Sequence, residues 1–171
     1  MLTQLFGPTW RRQLWQLVYM LNMVAFALVC WKGYSLVVDT ETPVVVVLSG
    51  SMEPGYYRGD ILFLASYPRP YKVGDVTVYS VENGKIPIVH RVIETHSDRR
   101  GQMLLTRGDN NKDDDVQLYG GQRWLYSDQV VGRVVGYIPY VGYVTLVMND
   151  FPIVKYIVLG LVGISMLYER E

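Results

Sequence analysis

Cysteine is almost absent. Cys30 is the single one in 171 residues, which excludes a disulfide framework closed within the chain and any CxxC zinc or redox pair. Histidine is nearly as scarce, since His90 and His96 are the only two, and two cannot by themselves build a His-rich metal cage. Excess charge is lacking too. The 16 basic residues are matched by 16 acidic ones, so no long-range field draws the chain toward phosphates, and no nucleic-acid partner is expected. No Asn-x-Ser/Thr acceptor occurs, so glycosylation gives no handle on topology. What the chain has is apolar matter. It is 50% hydrophobic with a mean hydropathy of +0.11, which excludes disorder.

Charge placement divides the chain. From Gln13 to Trp31 no residue is charged, Arg11 and Arg12 stand before the run and Lys32 after it. As a helix those 19 residues reach roughly 28 Å, which matches a bilayer core of about 30 Å, and Lys32 can snorkel at the far end. A cleaved leader would have a shorter apolar core ending in an A-x-A-like site, and Val29-Cys30-Trp31-Lys32 supplies none. Basic residues collect on the cytoplasmic side of a span. The expected organisation is therefore type II, with a cytoplasmic segment over 1–12, a signal-anchor helix over 13–38 and a non-cytoplasmic domain over 39–152. The last uncharged run, Tyr156 to Tyr168, reaches only about 20 Å as a helix. A short apolar helix is expected within 153–171, in locally thin membrane, at the interface or against partner helices.

Between Pro43 and about Val147, short β-branched runs alternate with Gly, Pro, Asn and Asp, the pattern of an antiparallel, mainly β domain. Strands are expected near Val44–Leu48, Asp60–Ala65, Val76–Val81, Ile86–Thr95, Met103–Arg107 and Val130–Tyr137. Gly-Asp at 59–60, 74–75 and 108–109 reads as turn chemistry, and so do the two Arg-Gly-Asp triplets that contain the first and last of these pairs.

Three segments carry groups suited to acyl transfer. Ser49-Gly50-Ser51-Met52-Glu53-Pro54 follows the apolar run 43–48 and places two hydroxyls at a strand end. A serine nucleophile needs rigid backbone, a base within hydrogen-bond reach and a donor for the oxyanion. The G-x-S-x-G elbow is absent. A base is available in Ile88-Val89-His90-Arg91-Val92, where strand alternation puts Ile88, His90 and Val92 on one face and Val89, Arg91 and Ile93 on the other. His96, in the polar stretch 96–101, reads as an exposed loop residue. The third segment, Arg107-Gly108-Asp109-Asn110-Asn111-Lys112-Asp113-Asp114-Asp115, offers carboxylates that could orient the histidine. Asp113 and Asp114 read as solvated. The calcium-loop pattern is not matched, because glycine and glutamate are missing at the required places.

These three segments, in this order and behind a type II anchor, resemble the catalytic subunits of the eukaryotic endoplasmic-reticulum signal peptidase complex. The resemblance rests on Val-Val-Leu-Ser-Gly-Ser-Met-Glu-Pro at 46–54, Arg-Gly-Asp-Ile-Leu-Phe-Leu at 58–64, Ile-Pro-Ile-Val-His-Arg-Val at 86–92 and Leu-Thr-Arg-Gly-Asp-Asn-Asn at 105–111. Bacterial relatives place lysine before the arginine; here His90 precedes Arg91, which marks the endoplasmic-reticulum branch.

The resemblance implies a signal-peptidase-type β-domain and a serine endopeptidase that removes signal peptides from nascent chains at the lumenal membrane face. It implies subsites for small uncharged side chains at −1 and −3, other complex subunits and a lipid bilayer as partners, and no metal or organic cofactor. Ser51 is then the nucleophile and His90 the base, with Ser49 and the Ser51 amide as oxyanion donors. Asp109 and Asp115 are both carry-overs for the third member. Asp115 is preferred, with Asp109 expected to hold the loop by accepting turn amides. The alternative from another class is an inactive scaffold subunit of the translocation machinery.

Overall fold

The computed structural model describes residues 8–67, 70–80 and 87–168. The expected strand ends at Val81 and Ile86, the first residues of the N-terminal segment and the terminal Glu169-Arg170-Glu171 lie outside the described residues.

Helix α1 runs Pro8–Val37. It begins before the uncharged run because Arg11 and Arg12 favour helix as readily as apolar residues do, and proline fits a first turn. Every described side chain from Trp10 to Lys32 is exposed, an arrangement that only lipid or a partner can cover. The helix joins the β-domain at its last turn, where Ser35 donates to the Thr40 carbonyl at 2.6 Å and Thr40 to the Val131 carbonyl at 2.9 Å.

The domain is one antiparallel sheet of seven strands: β1 (Val44–Val46), β2 (Ile61–Ala65), β3 (Val76–Tyr79), β4 (Ile88–Asp98), β5 (Gly101–Arg107), β6 (Leu125–Tyr126) and β7 (Val130–Ile138). Their spatial order is β1-β2-β7-β3-β4-β5-β6. Each face covers a core. One holds Tyr71, Tyr79, Val92, Leu104, Tyr119, Leu125 and Val130; the other holds Val45, Val47, Leu62, Leu64 and Val78. Neighbours in β3 divide between them, Val78 to one and Tyr79 to the other, as the two-residue period requires. In the β4–β5 hairpin the pairing passes from Val92↔Thr106 to Glu94↔Leu105, so Ile93 is an extra residue. That bulge bends the hairpin.

One expectation needs correction. His96 lies within β4, exposed but not in a loop, paired to Glu94 at 2.6 Å and edge-on to Trp124. The stretch after β7 is helical: α2 spans Tyr143–Asp150 despite its β-branched residues, because it docks on the domain and tertiary contact overrides weak propensity. The C-terminal helix α3 spans Pro152–Tyr168 and takes in Lys155, so it reaches roughly 26 Å and stays short of a full bilayer core. Strand β6, two residues long, has no periodicity to read.

Helix α2 docks on the chain between β1 and β2. Gly59 there has φ +93°, and a Cβ added to it would fall 2.3 Å from the Tyr143 ring. Arg58 also pairs with Asp150 at 3.0 Å, an exposed bridge of small effect. Gly59→Ala is expected to destabilise the full chain in detergent by about 2 kcal/mol or more, through both the disfavoured φ and overpacking. Thermal unfolding checks this; an unchanged midpoint would mean that α2 is not packed there.

Candidate active site

The Ser-Gly-Ser segment leaves β1 and closes into a turn, with the Glu53 amide donating to the Gly50 carbonyl and the Tyr56 amide to that of Met52. Met52, fully buried, anchors this turn in the domain. The loop after β5 clamps it from the other side. The Asn110 amide donates to the Ser51 carbonyl at 2.9 Å, and its side-chain amide to the Gly50 carbonyl at 3.1 Å. Ser51 therefore sits on backbone fixed at both ends.

His90 lies in mid-strand on β4, 4% exposed, between Ile88 and Val92 on the face that sequence alternation assigns it. Its Nε2 is 3.1 Å from Ser51 Oγ and its Nδ1 is 2.6 Å from Asp115 Oδ2. A carboxylate offers only lone pairs, so Nδ1 carries the ring proton and donates it to Asp115. Nε2 is left with a lone pair aimed at the hydroxyl. Asp115 is 1% exposed. It opens a single 3-10 turn, Val116–Tyr119, and its amide donates to the Thr106 carbonyl at 3.1 Å. Its Oδ2 also accepts the hydroxyls of Thr106 at 2.6 Å and Tyr79 at 3.0 Å. Burial pushes the Tyr79 phenol far above its ordinary range. Thr106, Tyr79 and Tyr119 were not singled out by the sequence. One signal was available: Thr106 falls in phase with Leu104 on the buried face of β5, a polar residue in a core position.

The other candidates separate cleanly. Asp109 does not accept turn amides as expected. It forms a two-pronged pair with Arg91, Nε to Oδ1 at 2.8 Å and Nη2 to Oδ2 at 2.6 Å, which raises the guanidinium further above its usual range. The cause is alternation, because Arg91 leaves β4 on the face opposite His90 and meets Asp109 there. Ser49 is exposed, its Oγ 3.3 Å from Ser51 Oγ. Asp113 and Asp114 face solvent. Among the described residues, no three His, Cys, Asp or Glu side chains gather to hold a metal ion.

A cleft of about 420 Å³ opens beside Ser51 and His90, walled by Val46, Leu48, Ile88, Val89 and Leu118. Such an arrangement can transfer an acyl group: the hydroxyl has a path for its proton into the imidazole, a carboxylate backs the ring, and the cleft takes apolar side chains.

A sheet domain behind a helix of membrane length, with hydroxyl, imidazole and carboxylate in line at an apolar cleft, is the build of a membrane-tethered peptidase. No protein-family model matches the chain. Individual proteins do. It is 47% identical to the signal peptidase complex catalytic subunit SEC11 of Schizophyllum commune, over 94% of this chain and 93% of that one. With the human signal peptidase complex catalytic subunit SEC11C it shares 48% identity over 94% and 86% of the two chains. With SEC11 of Candida dubliniensis it shares 43%, over 94% and 98%. The chain belongs to the family of signal peptidase complex catalytic subunits.

Gly108 offers a test of the geometry. A Cβ there would lie 2.6 Å from the Ser51 carbonyl oxygen and 2.9 Å from His90 Nε2. Gly108→Ala is expected to force the two apart and to cut processing of a signal-peptide substrate by about tenfold or more, since small misplacements in a reacting geometry are costly. Processing at the native rate would show that the two residues need not keep this spacing.

Proposed function

We propose that the chain is a membrane-anchored serine endopeptidase that cuts signal peptides from nascent secretory and membrane proteins. Its residues 1–12 are cytoplasmic, 13–38 form the anchor, 39–152 the lumenal catalytic domain, and 153–171 a membrane-associated helix in the endoplasmic reticulum. The observation that carries this is the line from Ser51 Oγ through His90 to Asp115 Oδ2, at 3.1 and 2.6 Å. The named relatives support the reaction, and the exposed α1 supports the anchor.

The steps follow from the atoms. Ser51 Oγ attacks the scissile carbonyl as its proton passes to His90 Nε2, and the imidazolium that forms is stabilised by Asp115. Ser49 Oγ and the Ser51 amide are the oxyanion donors of this reading. The imidazolium then protonates the departing amine, which becomes the new N-terminus of the mature chain. Water, deprotonated by the same nitrogen, attacks the acyl-Ser51 ester and frees the signal peptide with a carboxylate end. The Val46, Leu48, Ile88 and Leu118 walls suit small uncharged side chains at −1 and −3. The substrates arrive as membrane-borne nascent chains, and other subunits of the complex complete the assembly.

Ser51→Ala is expected to abolish processing while the protein still folds and assembles. Ser49→Ala is expected to retain activity lowered about 10²- to 10³-fold, the usual effect of losing one oxyanion donor. Normal turnover by Ser51→Ala overturns the reading. His90→Lys is also expected to be inactive: an amine beside a buried carboxylate is held charged and has no lone pair for the serine proton. Near-native cleavage by that variant would remove Asp115 from the site.

A further inference from the structure

Asp115 Oδ2 accepts three hydrogen bonds, from His90 Nδ1, the Thr106 hydroxyl and the Tyr79 hydroxyl, at 2.6, 2.6 and 3.0 Å. Only one of these donors belongs to the proposed chemistry. The other two reside on side chains with no measurable exposure that do not line the cleft. Thr106 and Tyr119 stand 2.8 Å apart, hydroxyl to hydroxyl. A threonine hydroxyl has a single proton, and its partner on Asp115 is a carboxylate that can only accept. That proton is therefore committed to Asp115, and Tyr119 must be the donor to Thr106. The Tyr119 hydroxyl accepts in turn from the Thr106 amide at 2.8 Å. Donation has one direction, from Tyr119 through Thr106 to Asp115. Thr106 also holds the backbone of Asp115, accepting its amide at 3.1 Å. Burial pushes the phenols of Tyr79 and Tyr119 upward, so both remain protonated donors through the working range.

We propose that Thr106, backed by Tyr119 and seconded by Tyr79, is the positioning residue that fixes the Asp115 carboxylate against His90 Nδ1. A β-branched side chain is stiff at χ1, and its backbone carbonyl and hydroxyl grip both the main chain and the carboxylate of Asp115. Three donors on one oxygen fix where its lone pairs point. Asp115 is thereby held as an acceptor that orients the imidazole and stabilises its charged form. A carboxylate free to rotate would leave the ring without a fixed tautomer, and the proton transfer from Ser51 would lose its geometry. The proposal rests on the reading that Ser51, His90 and Asp115 carry the chemistry.

The test compares Thr106→Val, Thr106→Ser and Tyr79→Phe in the full chain within its assembled complex, measuring kcat and KM separately on a signal-peptide substrate together with the thermal midpoint. Thr106→Val keeps the shape and removes the donor. Its kcat is expected to fall by about tenfold to a hundredfold, the worth of a hydrogen bond to a charged group, with KM unchanged because Thr106 does not touch the cleft. Thr106→Ser returns the donor, so kcat recovers to within about threefold of native. Tyr79→Phe lowers kcat less, by about threefold to tenfold, again at native KM. Native kcat in Thr106→Val overturns the proposal. So does a serine variant as impaired as the valine one, because the loss would then belong to the methyl group and its packing. If Thr106→Val does not assemble, Tyr79→Phe decides: lowered kcat at native KM supports the proposal, and native kcat overturns it. Ser51→Ala separates the two levels, since an active Ser51→Ala protein sinks the underlying reading, whereas an inactive one with unaffected Thr106 and Tyr79 variants sinks only this inference.

Discussion

A carboxylate at 1% exposure is the constraint from which the rest of this structure follows. A charge taken out of water costs several kcal/mol unless donors replace the hydration it loses. Asp115 finds those donors on three different strands, at Tyr79 in β3, His90 in β4 and Thr106 in β5. The strands must therefore be adjacent and in one register, and the sheet order places them side by side. The packing serves the same end. Tyr79 and Tyr119 belong to the core that also holds Val92 and Leu104, so the apolar cluster and the polar network share side chains. Loosening either would loosen the other.

Apolar helices leave the domain at both of its ends. Helix α1 exposes its described side chains between Trp10 and Lys32, yet its last turn is tied to β7 through Thr40 and Val131. Ser51 then follows after one short strand. At the other end, α2 and α3 meet at 103° around Phe151, with α2 fastened to the Gly59 loop and α3 presenting Ile153, Tyr156, Ile157, Leu159 and Leu161. Two apolar elements thus flank one domain. Under the proposed function they would confine enzyme and membrane-borne substrate to one surface, which raises effective concentration without any added contact.

Much of this was legible in the sequence, and the reasons are specific. Helix α1 is visible because an uncharged run of that length has few other uses. The strands of the domain are visible because their two-residue alternation matches their burial, as with His90 and Val92 against Val89. Ser51 and His90 lie within contiguous motifs and could be named from them. The choice between Asp109 and Asp115 is of another kind, because both are acids in one loop and only the hairpin register says which side each reaches. Thr106 carried one faint signal, its phase with Leu104, and Tyr119 carried none, because the value of a hydroxyl at a core position appears only when its partner is seen. Helix α2 was not named from the sequence, because its β-branched residues favour strands locally while docking against Gly59 decides the outcome.

The same register explains why two acid–base pairs can stand back to back. His90 and Arg91 are neighbours, so a strand sends them to opposite faces. The segment 108–115 supplies an acid to each, Asp115 to the histidine and Asp109 to the arginine. Continuing the Arg91↔Arg107 pairing by one step sets His90 opposite Gly108, where any Cβ would strike the ring. A slip of one residue would exchange the faces. It would drive a guanidinium into the pocket that holds Asp115 and turn the imidazole away from Ser51. The bulge at Ile93, the glycine at 108 and the two acids therefore act as one specification, in which the permanently charged pair stays half-exposed and the buried face is left to a ring that can take up and release a proton.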